Sequence, residues 1–372
     1  MKRKILYFAS SYKIGLTRQL TEKACCLNKH YPEGNLLFVS GEREQFTGLF
    51  KKLDKENVNY EVIPGLDDHK HFIRLLNNFR KYVEQFLPDI IHVHTNWQLA
   101  IAASVKHIYK KKYLIFYTCH GYRHNYRIRS IIARFLIGYA LALFANKNIV
   151  TSSFLRNRFT FLGKKNELLF LGVDEAFFEN PNPLSFTDKR RIIFPGEFRV
   201  GKNQDLLIRV IKKYIDKTGD SNLEIYLPGN GDKLEECKSL CKKLGLQNNV
   251  YFPGLLAQSE LLLYYKMCQY AVVPTNIETF GYCIVEPYIL GRVVISRRTG
   301  VSEDIIIPGE TGFLFDTEKE LLQILIDILP NTEKSIYIGN NAFKNRDIFR
   351  WDNICEKYLH MVDNLDSPNC LE

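Results

Sequence analysis

Residues 270–287 have the sequence YAVVPTNIETFGYCIVEP, and this stretch decides the fold prediction. Its first part, Tyr270 to Pro274, is short, apolar and rich in valine, which is typical of a buried strand. A polar loop follows this strand, and a helix is expected to begin near Glu278. A strand that leads through a polar loop into a helix is the repeating unit of parallel α/β sheets.

The same alternation runs along most of the chain. In the first half, strands are predicted at Ile5–Ala9, Leu36–Ser40, Tyr60–Pro64, Ile90–His94, Leu114–Thr118 and Ile149–Ser152. In the second half, further strands are predicted at Arg191–Phe194, Leu223–Leu227, Val250–Pro253 and Val293–Ser296. The Pro- and Asn-rich residues 179–185 suit a linker between the two halves. The sequence therefore predicts an α/β protein with two doubly wound, Rossmann-like parallel-sheet domains, at 1–180 and 188–346, facing a cleft.

Composition favours a globular protein with reduced thiols. The chain has 372 residues, of which 46% are hydrophobic and 25% charged, and this length suggests two domains. Its nine cysteines are odd in number and contain no CxxC pair, so free thiols in the cytoplasm are expected. The apolar run after Met1 is too short for a signal peptide. The apolar stretch 131–145 contains Arg134 and is too short to span a membrane.

Positive charge is concentrated in the first domain. Up to Thr187 the chain has 28 Lys and Arg against 15 Asp and Glu, and no acid lies between Asp89 and Glu167. Basic residues beside an anionic leaflet contribute about 1 kcal/mol each. We therefore expect an anionic membrane surface as a partner, with the protein at its inner face. Nucleic acid also fits the charge, but no nucleic-acid-binding motif accompanies it.

Two glutamates mark the segment after Pro274 as a candidate site. Glu286 follows Glu278 by eight residues, so both are expected on one face of a helix. The backbone N–H groups of residues 279–281 would then point at a phosphate or a sugar hydroxyl. Taken alone, Glu278 is better explained as a partner of the helix dipole.

In its surroundings this segment resembles glycosyltransferase family 4, whose signature contains two glutamates separated by seven residues. Further segments match the family in the same order, namely 193–203, 227–231, 250–254, 299–303 and 309–314. The resemblance implies the two-domain GT-B fold and a retaining transfer of sugar from a nucleoside diphosphate. It also implies that no metal or other cofactor is needed. A UDP-sugar is favoured over a GDP-sugar as the donor.

The resemblance also assigns roles to individual residues. Catalytic roles are expected for Glu278, His120 and Lys202. Donor binding is expected from Gly15, Gly196, Arg199, Lys202, Gly229, Thr279, Phe280, Gly281 and Glu286. The acceptor side is expected at His94, Asn96 and Arg123. Glu197 stands where the family often has a cation, so Arg199 or another cation would have to supply that charge.

Several alternatives remain open for the histidines and for the function. His92 and His94 share one face of a strand, but without an acidic partner they are not predicted to bind metal, and His92 is expected to pack. A packed or capping role is also open for His120. The acceptor is expected to be a lipid-linked saccharide of surface polysaccharide or lipopolysaccharide synthesis. A sugar-nucleotide epimerase of the same fold and a catalytically silent, membrane-associated scaffold are the alternatives.

Overall fold

The computed structural model describes residues 2–8, 14–31, 34–41, 47–63, 72–120, 143–158, 166–179, 184 and 189–366. The chain divides into two compact units. Unit 1 consists of Met1–Thr151, Leu155–Gly172 and Trp351–Glu372, and unit 2 consists of Ser152–Phe154 and Val173–Arg350. Unit 1 therefore takes its last helix from the far end of the chain.

Unit 1 contains a parallel sheet with the strand order β3-β2-β1-β4-β5-β6-β7. The strands are β1 (Ile5–Phe8), β2 (Leu36–Gly41), β3 (Tyr60–Ile63), β4 (Ile90–Val93), β5 (Leu114–Cys119), β6 (Lys147–Val150) and β7 (Asn166–Leu168). The helices are α1 (Ile14–His30), α2 (Thr47–Lys55), α3 (Phe72–Phe86), α4 (Asn96–Ile108) and α5 (Ser153–Arg158), whose first two residues belong to unit 2, with α13 (Trp351–Asp363) added from the end of the chain.

The strand order of unit 1 places a ligand-binding position at its centre. Strands β1 and β4 are neighbours, with Tyr7 opposite His92, and the chain continues outward from them in opposite directions. Crevices form beyond the carboxyl ends of parallel strands at such a switch point. Helices α1 and α13 cover one face of the sheet, where Tyr358 and Cys355 pack in the same core as Tyr7.

Unit 2 contains a second parallel sheet, with the order β10-β9-β8-β11-β12-β13. Its strands are β8 (Arg190–Ile193), β9 (Leu223–Tyr226), β10 (Val250–Tyr251), β11 (Tyr270–Val273), β12 (Val293–Arg297) and β13 (Phe313–Phe315). Its helices are α6 (Gln204–Thr218), α7 (Leu234–Leu244), α8 (Gln258–Met267), α9 (Tyr282–Ile289), α10 (Ser302–Ile305), α11 (Glu318–Ile328) and α12 (Thr332–Lys344). The switch point lies between β8 and β11, so the loops after these strands are brought together.

The predicted α/β class and its parallel strands are confirmed, with small shifts at the strand ends. The sequence missed β7 and β13, which have three residues each and are too short for a clear periodic pattern. The helix predicted to begin near Glu278 begins at Tyr282 instead. The reason is Gly281, whose φ of 95° is left-handed and ends the preceding loop.

Two further predicted features are the position of Gly15 and the apolar stretch 131–145. Helix α1 begins at Ile14, so Gly15 lies in its first turn rather than in the preceding loop. Most of the apolar stretch 131–145 lies outside the described residues, which include only its last three positions. Among the helices that the structure describes, none has the length and hydrophobicity of a membrane span.

Candidate functional site

In unit 2, backbone hydrogen bonds fix the loop that follows β8. The Gly196 N–H donates to the carbonyl of Pro228 at 2.9 Å, and the Phe198 N–H donates to the carbonyl of Asn230 at 2.9 Å. The loop after β9 is held in turn, since the Gly229 N–H donates to the Gly254 carbonyl at 2.8 Å. Gly196 and Gly229, both expected at the donor site, therefore lie in adjoining loops at one edge of the sheet.

A second set of contacts joins the loop after β8 to the loop after β11. The Asn276 N–H donates to the carbonyl of Gly201 at 2.9 Å. Asn203 adopts a left-handed backbone with φ of 61°, and its side-chain amide donates to the Pro274 carbonyl at 2.8 Å. Asparagine tolerates this conformation better than most residues. Lys202, between Gly201 and Asn203, is thereby held beside the β11 loop.

Lys202 and Glu278 form an ion pair at this junction. The Lys202 ammonium donates to Oε1 of Glu278, and the side chains are only 12% and 15% exposed. Burial alone would lower the pKa of Lys202, but the neighbouring Glu278 carboxylate more than offsets this and raises it. Lys202 is therefore a permanent cation at neutral pH. Two residues predicted to be catalytic, 76 positions apart, are in direct contact.

Glu197, which stands where the family often has a cation, forms an ion pair with Arg199. Their side chains form an ion pair of 3.1 Å at the surface, where Glu197 is 67% exposed and Arg199 is 47% exposed. Water screens such an exposed pair. Lys202 therefore provides a more deeply buried positive charge than Arg199.

The loop after β12 supports the backbone around Glu278. The Glu278 N–H donates to the hydroxyl of Thr299 at 2.7 Å, and the Val301 N–H donates to the carbonyl of Phe280 at 2.9 Å. At Gly300, between them, an added Cβ would lie 2.9 Å from Cβ of Glu278. Thr299 belongs to the matching segment 299–303, but its role in positioning Glu278 was not predicted from the sequence.

Glu286 and Glu278 do not share a helical face, contrary to expectation. Glu286 is buried within α9, whereas Glu278 precedes this helix in the loop. Burial raises the pKa of Tyr265 well above its usual value, and the nearby Glu286 carboxylate raises it further.

The N-cap of α9 is Gly281. The first helical N–H groups therefore belong to Tyr282 and Cys283 rather than to Thr279 and Phe280.

In unit 1, three histidines cluster at the carboxyl ends of β4 and β5. His92 is fully buried, with ring nitrogens 2.9 Å from the Tyr358 hydroxyl and 2.7 Å from the Thr118 hydroxyl. The His94 ring stacks on His92, and its Nδ1 lies 3.0 Å from Nε2 of His120. His92 thus packs as expected, while His94 and His120 are linked to each other.

The cluster is held neutral by its surroundings. Burial lowers the pKa of all three imidazoles, and the nearby Lys23 ammonium lowers each pKa further. The pKa of His120 falls to about 3. His120 is therefore a neutral hydrogen-bonding group at pH 7, so it does not supply positive charge.

A narrow pocket in unit 1 is lined by polar atoms that lack partners. Its lining includes Tyr7, Gln19, Lys23, His94, His120 and Trp351. Among the described residues, no hydrogen bond is made by the Tyr7 hydroxyl, Gln19 Oε1, His94 Nε2 or Trp351 Nε1, although all are buried. Buried polar atoms normally have a partner, so the pocket suits an ordered water or a ligand hydroxyl. Lys23 was not among the predicted site residues, because in the sequence it only precedes the apolar residues 24–27 of α1.

Of the other two residues expected on the acceptor side, Asn96 and Arg123, the structure describes only Asn96. Asn96 begins α4 and accepts a hydrogen bond of 2.6 Å from the Tyr117 hydroxyl. Arg123 lies outside the described residues. Exposed Lys110 and Lys112 precede β5, whereas His120 follows it. These lysines therefore lie at the amino end of β5 and His120 at its carboxyl end. A six-residue strand separates these two ends by about 20 Å.

The histidine cluster predicts that unit 1 loses stability in mild acid. Below about pH 6.5 the unfolded chain binds a proton at each of the three histidines, while the folded cluster stays neutral. Stability is therefore fully present above this pH and falls as the pH decreases. Between pH 7.0 and 5.5 the loss is about 1.3 kcal/mol per histidine. Denaturant unfolding of His94→Phe, compared with the parent chain, should show the acid dependence reduced by one proton, whereas exposed His360→Gln should retain it.

Comparisons with known proteins agree with the resemblance seen in the sequence. The family model described as glycosyl transferases group 1 matches residues 176–345, and the model described as glycosyltransferase family 4 matches residues 40–177. An uncharacterized glycosyltransferase of Methanocaldococcus jannaschii is 24% identical over 310 residues, which cover 82% of this chain and 84% of the relative.

A second relative and one solved protein extend the comparison. The GDP-Man:Man(3)GlcNAc(2)-PP-Dol alpha-1,2-mannosyltransferase of Dictyostelium discoideum is 25% identical, over 48% of this chain and 38% of its own length. The crystal structure of Anabaena HepE with UDP has a TM-score of 0.80 at 19% identity and covers 97% of this chain and 100% of HepE. The HepE complex with UDP-glucose has a TM-score of 0.76 at 19% identity, over 98% of this chain and 100% of HepE.

Proposed function

The chain belongs to the group 1 glycosyltransferases with the GT-B fold, and we propose that it transfers sugar from a UDP-sugar to a lipid-linked saccharide with retention of anomeric configuration. The observation that carries this proposal is the buried Lys202–Glu278 pair, held where the loops after β8 and β11 meet. HepE, which shares the fold, has been crystallised with UDP and with UDP-glucose, and this supports UDP as the nucleotide.

The proposed mechanism rests on placing one positive charge against the leaving diphosphate. Negative charge develops there as the bond to the sugar breaks, and a fixed buried cation stabilises it more than a solvated one does. Lys202 would supply this charge, and Glu278 would hold its ammonium in place and accept hydrogen bonds from the sugar. No metal ion is assigned a part in this step.

Glu286 is proposed to hold the donor nucleotide through hydrogen bonds to its ribose. A buried carboxylate only accepts hydrogen bonds, and the two hydroxyl groups of a ribose can donate them. His120 would form a hydrogen bond with a sugar hydroxyl as a neutral imidazole, since its pKa of about 3 excludes a cation at neutral pH. The neighbouring pocket lined by Tyr7, Gln19 and Lys23 would bind an acceptor hydroxyl or an ordered water.

Replacing Glu286 with alanine should weaken UDP-sugar binding about ten- to a hundredfold. Loss of hydrogen bonds to a charged group costs about 1.5–3 kcal/mol, which corresponds to this range of affinity. Calorimetric titration with UDP- and GDP-sugars measures the effect and identifies the base. Glu235→Gln, on the exposed side of α7, serves as the matched control. If the folded parent protein bound neither class of nucleotide sugar, the proposed donor site would be wrong.

The acceptor and its location form the second half of the proposal. The excess of 28 basic over 15 acidic residues up to Thr187 supports an anionic membrane surface, with the enzyme peripheral at its inner face. The Dictyostelium relative is named for an acceptor carried on PP-Dol, which supports a lipid-linked saccharide. The product would then belong to surface polysaccharide or lipopolysaccharide synthesis.

The positions of the basic residues give a direct test of membrane binding. We expect Arg127→Gln/Arg129→Gln, which removes two positive charges from the acid-free interval between Asp89 and Glu167, to weaken binding to vesicles of anionic lipid about tenfold or more. Lys242→Gln/Lys243→Gln removes the same charge from α7 of unit 2 and should have little effect, because acidic residues outnumber basic ones after Thr187. Vesicle co-sedimentation measures both. Equal losses in the two variants, or transfer to soluble acceptors alone, would contradict the proposed membrane acceptor.

A further inference from the structure

A group of metal-binding side chains lies where helices α1 and α13 of unit 1 pack together. The group consists of Cys26 and His30 from α1 and Asp352 from α13. One ligand atom from each residue lies within 4.8 Å of the others, and Cys26 Sγ is 3.4 Å from Oδ1 of Asp352. Cys26 is buried, whereas His30 is half-buried and Asp352 is exposed, so the group can be reached from solvent.

The spacing along each helix directs these side chains to one place. Cys26 and His30 are four residues apart on α1, and Asp352 and Cys355 are three residues apart on α13, so each pair shares a helical face. The Cys355 thiol is a neighbour of the Cys26 thiol, and both are buried. A buried thiol, an imidazole nitrogen and a carboxylate oxygen therefore converge at this helix contact, and the Cys355 thiol lies next to that of Cys26.

We propose that unit 1 binds one Zn²⁺ ion here, with Cys26, His30 and Asp352 as ligands and Cys355 as the fourth. Zinc prefers four ligands of these types in a tetrahedron, at about 2.0–2.3 Å from the metal. Such a tetrahedron places ligand atoms about 3.3–3.8 Å apart. The ligand atoms of Cys26, His30 and Asp352 lie within 4.8 Å of one another, about 1 Å wider than this tetrahedron, and the Cys355 thiol beside Cys26 would have to approach them as the fourth ligand.

A bound Zn²⁺ ion would have to compensate the charge of two thiolates and one carboxylate. On binding, the two cysteines would release their protons to solvent, and their thiolates with the Asp352 carboxylate would carry three negative charges. Zinc supplies two positive charges. The third positive charge, which would balance the site, comes from the ammonium of Lys23. Lys23 is buried one turn before Cys26 and interacts electrostatically with both cysteines.

This ion would have a structural role, separate from the transfer reaction, for which no metal is proposed. It would fasten the last helix of unit 1 to the first, joining Cys26 to Asp352, which are 326 positions apart in the chain. Closing so long a loop restricts the unfolded chain and therefore stabilises the folded unit.

The test uses the full-length protein without an affinity tag, purified with and without added zinc. Elemental analysis should find one zinc per chain, and Co²⁺ added to the metal-free protein should give the absorption of a cobalt–thiolate bond. Zinc at a hundredfold excess over its Kd should raise the unfolding temperature by about 5 °C or more.

Variants separate a metal site from simple helix packing. His30→Gln should weaken Co²⁺ binding at least tenfold, and Cys26→Ser should also remove cobalt–thiolate absorption. Cys25→Ser, on the adjacent residue, and His360→Gln, at the other end of α13, should retain both signals. Because Cys26→Ser could disturb the core, His30→Gln with an unchanged far-ultraviolet circular dichroism spectrum decides the question.

Three outcomes would overturn the proposal. The first is a folded parent protein that holds no stoichiometric zinc and whose unfolding temperature does not respond to added Zn²⁺. The second is an equal loss of cobalt binding in His30→Gln and His360→Gln, which would indicate adventitious binding. A Cys26–Cys355 disulfide found by peptide mass spectrometry in protein prepared under reducing conditions would likewise assign the thiols to a different role.

Discussion

Replacing Lys202 with alanine is expected to lower kcat/KM for sugar transfer by about 10²–10³-fold. The substitution removes the buried cation that would stabilise the leaving diphosphate, and fixed electrostatic groups of this kind have effects of this size. It also leaves the Glu278 carboxylate, only 15% exposed, without its ion-pair partner. Steady-state kinetics with a UDP-sugar, followed through the release of UDP, measures the loss.

Arg199 and Glu278 provide the controls for this prediction. Arg199→Ala removes a cation from the same loop, but its side chain is 47% exposed and paired with Glu197, so a loss of less than about tenfold is expected. Adding Glu278→Gln to Lys202→Ala should restore thermal stability without restoring activity, because the unpaired buried charge is then absent. Equal losses for Lys202→Ala and Arg199→Ala would contradict the role proposed for Lys202.

Replacing Gly229 with alanine is expected to destabilise unit 2 by about 3 kcal/mol or more and to abolish donor binding. Gly229 has φ of 143°, which is unfavourable for a residue with a side chain. An added Cβ would also lie 2.9 Å from the carbonyl carbon of Gly196 and closer still to its oxygen. Because both atoms belong to hydrogen-bonded backbone, the loop after β8 would have to move.

Gly219 and Gly245 allow the two causes to be separated. Both have left-handed φ, of 72° and 70°, but an added Cβ at either position would meet nothing within 4 Å. Their replacement by alanine should cost only the backbone strain, about 1–2 kcal/mol, with donor binding retained. Denaturant unfolding measures the change in the free energy of unfolding for each of the three variants, and titration with UDP measures their affinity for the nucleotide. If all three variants were equally destabilised, close packing at Gly229 would not matter.

The sequence predicted the fold well because the strands are short, apolar and regularly separated. It also placed Gly196, Lys202, Gly229 and Glu278 at strand ends, where the structure brings their loops together. The prediction was wrong about the helix near Glu278, since the helical pattern does not show that Gly281 adopts a left-handed φ of 95°.

What the sequence could not predict depends on contacts between distant parts of the chain. The hydrogen bonds of His92 to Thr118 and Tyr358 join strands β4 and β5 to the last helix. The buried polar atoms of Tyr7 and Trp351, which have no hydrogen-bond partner in the described part of the chain, belong to one pocket only after that helix has packed on the sheet. Periodicity gives the face of each element but not its partner.

The discontinuity of unit 1 has a consequence for the order of folding during synthesis. Unit 2 is built almost entirely from residues 173–350, so it can be complete while the ribosome has yet to release the final helix. The packing of the first sheet cannot be completed until two late residues have been synthesised. These are Tyr358, which packs against His92, and Trp351, which packs against Gly172. Although domains often fold in their order of translation, here the unit whose translation starts first is the last to be finished.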